Sequence, residues 1–164
     1  MPFSSGMPET NSSSPEQKIL RVGVVEDDAT LRLFLKKLIQ KPSHGFEFIG
    51  AWESAEDAVK PIAEMRPHVV IVDLELPKVS GIELIRQMSP RLGNTAFVVL
   101  TIHDDPDKVF AALRAGAHGY LLKSSKPAEI AAGIRQASEG GAPLSQEIAR
   151  LLIKTFQEPV VPQK

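Results

Sequence analysis

Three acids in a row, Glu26-Asp27-Asp28, follow the largely apolar run Leu20-Arg21-Val22-Gly23-Val24-Val25, and a lone Asp73 follows Val69-Val70-Ile71-Val72. Thr101 closes a run from Ala96 to Leu100, and Lys123 closes one from Gly119 to Leu122. Clustered carboxylates repel one another unless a hard cation sits among them, and Mg²⁺ prefers oxygen ligands of this kind. A carboxylate can also act as a nucleophile and form an aspartyl phosphate. A lysine and a hydroxyl can hold the phosphoryl oxygens as charge redistributes. Taken singly, each group has an ordinary reading. Glu26-Asp27-Asp28 fits a solvated turn with Asp28 capping a helix, Asp73 a strand-terminating turn residue, and Lys123 a surface lysine. Together, at the ends of four strands, they describe one site.

The elements that would bring them together are legible as alternating patterns. Apolar strands are expected at Leu20–Val25, Phe46–Trp52, Val69–Val72, Ala96–Leu100 and Gly119–Leu122. Leu31, Phe34, Leu35, Leu38 and Ile39 recur at helical spacing after the first strand. Ser54 is a good N-cap for a helix reaching Met65, with a kink expected at Pro61. A turn over Pro77–Gly81 leads into a short helix ending at Met88. Asp105-Pro106 opens a helix ending near Gly116, and another runs from Pro127 to about Glu139. Strict alternation of strand and helix implies right-handed crossovers and a parallel sheet, and continuous apolar strands imply helices on both faces. The expected fold is a five-stranded, doubly wound α/β domain over 19–142, of flavodoxin-like type, whose ligand site lies at the carboxyl ends of the strands. Gly140-Gly141 breaks the chain, and Ser145–Phe156 carries Ile148, Leu151, Leu152 and Phe156 on one face, an extra amphipathic helix. That helix could pack on its own domain, pair with another subunit or lead to a further domain.

Composition narrows the function classes. A formal net charge of −1 gives no electrostatic sign of a nucleic-acid or membrane-surface protein. The absence of cysteine excludes disulfides, thiolate chemistry and cysteine-held metals, and fits the cytoplasm. No apolar run is long enough to span a bilayer. Residues 1–18, rich in Ser, Pro, Gly and Asn, read as a disordered leader rather than a secretory signal. His44, His68 and His118 are scattered, form no metal-ligand pattern and read as surface or loop residues.

The pattern Val-Val-Glu26-Asp27-Asp28, Val-Asp73-Leu-Glu-Leu-Pro77-Lys-Val-Ser-Gly81, Leu-Thr101-Ile and Gly-Tyr120-Leu-Leu-Lys123 resembles the receiver domains of two-component response regulators. The likeness runs from Leu20 to about Phe156 and keeps the family's order and spacing. The stretch from Thr101 to Lys123 and the segment Gly140-Gly-Ala-Pro-Leu-Ser-Gln-Glu-Ile-Ala-Arg150 resemble the NarL/LuxR-type subgroup. The resemblance implies that Asp73 accepts a phosphoryl group from a sensor histidine kinase. It implies that Asp27 and Asp73 ligate Mg²⁺ (or Mn²⁺) directly, with the Glu75 backbone carbonyl as a further ligand and Glu26 acting through water. Thr101 and Lys123 would contact the phosphoryl group, and Tyr120 would be the aromatic switch that follows Thr101. Tyr120 taken alone also fits a half-buried edge aromatic. Glu75 and His103, two positions after Asp73 and Thr101, would flank the phosphoryl group and tune water access; alone they fit exposed loop residues. In the subgroup the 143–164 region leads to a helix-turn-helix domain, which is absent from this chain. DNA would be reached only through that domain, phosphorylation could drive homodimerisation, and no membrane partner is implied. Two positions depart from the family. Lys123 is followed by Ser124 rather than Pro, so no cis prolyl bond is expected there, and Ile102, where many receivers have a small residue, is expected to crowd the phosphoryl site.

The expected function is a phosphorylation-driven signalling switch with a transcriptional output, catalysing no reaction beyond its own phosphorylation and dephosphorylation. Two alternatives remain open on the sequence. A stand-alone receiver would act through protein contacts or phosphorelay. A phosphatase with an aspartate nucleophile would use a paired acid, which Asp73-Leu74-Glu75 echoes weakly and on the wrong strand.

Overall fold

The computed structural model describes residues 19–159; the expected leader at 1–18 and the final residues, 160–164, of the expected C-terminal linker lie outside them. The apolar runs form β1 (Leu20–Val25), β2 (Phe46–Trp52), β3 (Val69–Val72), β4 (Ala96–Thr101) and β5 (Gly119–Leu122). Between and after them run α1 (Ala29–Gln40), α2 (Ala55–Met65), α3 (Gly81–Met88), α4 (Pro106–Ala115), α5 (Pro127–Ser138) and α6 (Gln146–Gln157). The sheet order is β2-β1-β3-β4-β5 with every pair parallel, which is the expected doubly wound architecture.

Local chemistry sets where the helices begin. Asp28 accepts from the Thr30 and Leu31 amides, Ser54 from Asp57, Ser80 from Glu83 and Asp105 from Lys108. Each such cap is worth about 1 kcal/mol. The helix α2 runs through Pro61 to Met65 as one element, although Pro61 offers no amide to the Asp57 carbonyl. Among the described residues no helix is long and apolar enough to cross a membrane.

Strand residues alternate between two apolar layers. Val25, Val70, Val72, Phe97, Val99, Tyr120 and Leu122 pack with α2, α3, α4 and Ile148 of α6. Val22, Val24, Val69, Ile71, Val98, Leu100 and Leu121 pack with Leu35, Leu38 and Ile39 of α1 and Ile130 and Ile134 of α5. All four β3 side chains are buried, each contributing roughly 1.5–3 kcal/mol of transfer free energy. The central strand is thus held from both faces, and its carboxyl end is a fixed platform for Asp73. The helix α6 packs on its own domain against α4, with Ile148 buried and Leu151 and Leu152 partly buried. Phe156, expected on that packed face, is 76% exposed and meets the α4 residue Phe110 edge to face at 5.8 Å between ring centres.

The histidines, read as surface or loop residues, have structural work that the sequence did not suggest. His68 stands one position before β3 and His118 one position before β5. The His68 amide donates to the Arg21 carbonyl at 2.9 Å, and its Nδ1 accepts from the Arg21 amide at 3.0 Å. His118 repeats the arrangement with Phe97, at 2.7 and 3.0 Å. A ring nitrogen that accepts a backbone amide must keep its lone pair, so the bond requires a neutral ring. His44 lies with Nδ1 2.9 Å from the Leu38 carbonyl, to which it donates.

Burial lowers the His118 pKa below its ordinary 6.5. The unfolded chain takes up a proton near that value and the folded chain does so only further down. The contribution of His118 to stability is therefore complete above pH 6.5 and is lost as the pH falls toward the folded value. His118→Asn keeps an acceptor near the Nδ1 position and cannot titrate. Below pH 6.5 the melting temperature of the unsubstituted protein is expected to fall more steeply than that of His118→Asn; parallel curves would contradict this account.

Candidate functional site

The strand order reverses between β1 and β3, because β2 lies to one side of this pair and β4 and β5 to the other. In a doubly wound sheet such a reversal opens a crevice at the carboxyl ends of the strands. Glu26 and Asp27 leave β1 there, and Asp73 leaves β3. One carboxylate oxygen from each of Glu26, Asp27 and Asp73 lies within 4.8 Å of the others. Glu26 and Asp73 are buried, at 2% and 4% exposure, whereas Asp27 is exposed. The third acid of the run, Asp28, is turned away and caps α1.

Asp73 is held from several sides. Its amide donates to the Val25 carbonyl at 3.0 Å. Its Oδ1 accepts from the Glu75 amide at 3.3 Å, and its Oδ2 accepts from Lys123 Nζ at 3.0 Å. Gly81, the first residue of α3, packs against the Asp73 peptide so tightly that a Cβ there would lie 2.1 Å from the Asp73 carbonyl oxygen. Only glycine lets α3 start at this point, and the Gly81 amide closes the turn on the Leu74 carbonyl at 3.0 Å.

Lys123 leaves β5 with its amide bonded to the Thr101 carbonyl at 2.8 Å. Its ammonium reaches Asp73 and also Glu26 Oε1, at 3.1 Å. Burial would lower the Lys123 pKa, but the bond and charge of Asp73, followed by those of Glu26, outweigh it and hold the group above its ordinary range. Burial is also the largest influence on Glu26. The Asp28 amide opposes it, the Asp73 charge adds to it and Lys123 opposes it; together they push Glu26 up to about 7. One ammonium therefore faces three carboxylates, two of them buried. This donor set of hard, anionic oxygens with too little positive charge to balance it suits a divalent cation such as Mg²⁺.

Thr101 ends β4 fully buried, and its Oγ1 accepts from the His103 amide at 3.3 Å. Tyr120, on the edge strand β5, is fully buried rather than half-buried, and its hydroxyl donates to the His103 carbonyl at 2.8 Å. The His103 backbone thus joins the Thr101 hydroxyl, through its amide, to the Tyr120 phenol, through its carbonyl. Burial, then the charges of Asp105, Asp104 and Asp73, push the phenol pKa far above its ordinary value, so it stays a donor. Glu75 and His103 meet across the mouth of the crevice, with Glu75 Oε1 2.9 Å from His103 Nε2 in a contact that lacks hydrogen-bond alignment. Ile102, expected to crowd the site, is 71% exposed. No cis peptide bond occurs among the described residues.

Two residues that join this site were missed in the sequence. Lys108 places Nζ 2.8 Å from Glu75 Oε1, and its hydrogen bond is the main cause that lowers the Glu75 pKa. Arg32 folds back from α1 to donate to the Glu26 carbonyl at 2.8 Å. Both sit in the first turn of a helix, where a cation opposes the macrodipole. A basic residue at such a position was the available signal that its charge is used elsewhere.

Comparison with known proteins gives a consistent result. The sequence profile of the response regulator receiver domain matches residues 22–135. The transcriptional regulatory protein DegU of Brevibacillus brevis is 30% identical over 147 residues, covering 90% of this chain and 61% of its own. The transcriptional regulatory protein LiaR of Bacillus subtilis (strain 168) is 35% identical over 131 residues, covering 80% and 62%. The chain thus spans about three-fifths of the length of these two relatives. Among solved structures, a LuxR-family two-component response regulator from Aurantimonas sp. SI85-9A1 aligns with a TM-score of 0.80 at 30% identity, covering 86% of this chain and 100% of that one. The signal receiver domain of the response regulator NarL from Mycobacterium tuberculosis aligns with a TM-score of 0.70 at 27% identity, covering 75% and 98%.

The charge balance of the crevice is open to direct measurement. In chelator, Lys123→Met leaves Glu26 and Asp73 buried without their shared cation. Removing one partner of a buried ion pair is strongly destabilising, and the partial exposure of Lys123 together with proton uptake by Glu26 reduces the cost here. Denaturant unfolding is expected to show a loss of about 2–3 kcal/mol, with part of it recovered in the double variant Lys123→Met, Asp73→Asn. A change within about 0.5 kcal/mol, the size of an ordinary surface substitution, would contradict the pairing.

Proposed function

The chain belongs to the response regulator receiver family, and on that premise we propose that Asp73 accepts a phosphoryl group from a histidine kinase and thereby switches an output. The observation that carries this reading is the Asp73 carboxylate itself, buried at the strand reversal, bonded to Lys123 at 3.0 Å and grouped with Glu26 and Asp27. A lone pair on an Asp73 carboxylate oxygen attacks phosphorus in the donor, the new O–P bond forms, and the P–N bond to the kinase imidazole breaks with a proton going to that ring. Asp27, Asp73 and the Glu75 carbonyl would hold Mg²⁺, with Glu26 acting through water. When bound, the ion supplies positive charge that lets an anionic donor approach acidic side chains.

The chain's own residues do the rest. Lys123 shifts its ammonium from the bare carboxylate to a phosphoryl oxygen, a short move for a charge that already lies in the crevice before the reaction. The Thr101 hydroxyl, which accepts from the His103 amide, keeps its proton available for a second phosphoryl oxygen. A shift of Thr101 would pull on the His103 peptide and hence on the Tyr120 hydroxyl, which is the two-state element that the new charge biases. Glu75, His103 and Lys108 flank the opening and tune access of water to the acyl phosphate. The relatives named as transcriptional regulatory proteins support transcriptional control as the output. That control would be exerted in the cytoplasm through a DNA-binding region beyond the receiver, with homodimerisation as one consequence of phosphorylation.

Intact-protein mass after incubation with acetyl phosphate tests the reading. With Mg²⁺ the protein is expected to gain one phosphoryl group as acetate leaves. Chelator or Asp73→Asn is expected to abolish the gain. A gain that persists in Asp73→Asn, or no gain from either acetyl phosphate or a histidine kinase, would overturn it.

A further inference from the structure

The segment between α5 and α6 does more than connect them. The Tyr120 amide donates to the Pro143 carbonyl at 2.9 Å, and the Ser145 amide donates to the Tyr120 carbonyl at 3.1 Å. Leu144 forms a parallel bridge with Tyr120, so this stretch acts as a short added strand along the outer edge of β5. The fit is close: a Cβ on Gly119 would lie 2.7 Å from the Pro143 ring. Ser145 itself is buried, at 4% exposure, and occupies the N-cap of α6. A serine there ordinarily accepts from a helix amide and is worth about 1 kcal/mol to the helix. Here the hydroxyl makes no such bond. It accepts instead from the Leu122 amide at 2.9 Å and pairs with the Ser125 hydroxyl at 3.0 Å. Leu122 and Ser125 bracket Lys123, and the Ser125 amide closes the same turn on the Leu122 carbonyl at 2.9 Å.

We propose that Ser145 is a positioning residue for Lys123: its hydroxyl anchors both sides of the turn that carries the ammonium to Asp73. The inference rests on the phosphoacceptor reading above and adds to it a specific link between the site and α6. The Leu122 amide points to the outer edge of β5, where no sixth full strand receives it. Without the serine oxygen that buried donor is unsatisfied and the turn is free to shift. Because Ser145 also begins α6, whose Ile148 packs in the same core as Tyr120 and Leu122, docking of α6 and grip on the phosphoryl oxygens favour one another. Such coupling is reciprocal: a phosphoryl group that engages Lys123 holds α6 more firmly in place.

The test uses the full chain carrying Ser145→Ala, Ser145→Thr or Ser125→Ala. Phosphorylation by acetyl phosphate is followed as a function of donor and Mg²⁺, and hydrogen exchange of the Leu122 amide is followed by NMR. Ser145→Ala is expected to speed Leu122 exchange and to lower the maximal rate roughly fivefold or more. The Mg²⁺ midpoint should not rise, since the acids that would hold the ion do not touch Ser145 and a looser Lys123 ammonium competes with the ion less. Ser145→Thr, which keeps the hydroxyl, should restore most of the rate, and Ser125→Ala should lose less than Ser145→Ala. A Ser145→Ala protein that reacts at the unsubstituted rate would overturn the proposal. So would a loss of rate and Mg²⁺ response together, which marks a general loss of structure. If Ser145→Ala does not fold, Ser125→Ala decides, and an unchanged rate in that variant overturns the proposal. An unsubstituted protein that takes no phosphoryl group would instead overturn the reading on which the proposal rests.

Discussion

Buried carboxylates in this protein outnumber the cation that reaches them. The Lys123 ammonium lies 3.0 Å from Asp73 and 3.1 Å from Glu26, with Asp27 completing the acidic group. Much of the architecture can be understood as what is needed to hold that arrangement. Charges leave water only where apolar packing forces them to, and here both faces of the central strand are packed. The parallel order β2-β1-β3-β4-β5 brings the ends of β1 and β3 side by side and sends β5 two strands away. The long, flexible lysine stem spans that distance to the acids.

The same arrangement gives the site its sensitivity. Glu26 is pushed up to about 7, and Lys123 is held in its charged form by the two acids. Any change in charge at Asp73 therefore redistributes the Lys123 contacts. From there the structure offers two physical routes outward. One runs through the Thr101 hydroxyl and the His103 peptide to the buried Tyr120 phenol. The other runs through the turn after β5 to Ser145 and α6. They converge on the surface formed by α4, β5 and α6.

The strands were legible in the sequence because each is a short run of apolar residues ended by a polar group, and Val69–Val72 and Gly119–Leu122 were read to the residue. The site acids were legible for the same reason, since the end of an apolar parallel strand is where the chain can place a charge in a crevice. What the sequence hid are contacts made by side chains that cross large separations. The bonds of His68 and His118 to Arg21 and Phe97 depend on which strands are neighbours, and no local pattern announces a histidine as a backbone acceptor. The departure of Ser145 from its capping duty is equally invisible, because a serine before a helix looks like a cap. Periodicity puts Phe156 on the packed face of α6, but burial on that face fades along the helix, from Ile148 through Leu151 and Leu152 to a ring that is mostly in water.

Glu26, Asp27 and Asp73 gather more negative charge than Lys123 offsets, and thermal melting with and without Mg²⁺ tests most directly whether that charge draws a divalent ion. Asp27 is the informative position, because it is exposed and its replacement by Asn, which removes one of three mutually repelling charges, should not lower the metal-free melting temperature. At about a hundredfold excess over its Kd, Mg²⁺ should stabilise the unsubstituted protein by about 2–3 kcal/mol, and Asp27→Asn should lose most of that gain. A melting temperature that ignores millimolar Mg²⁺, or an Asp27→Asn variant that responds as fully as the unsubstituted chain, would contradict the account.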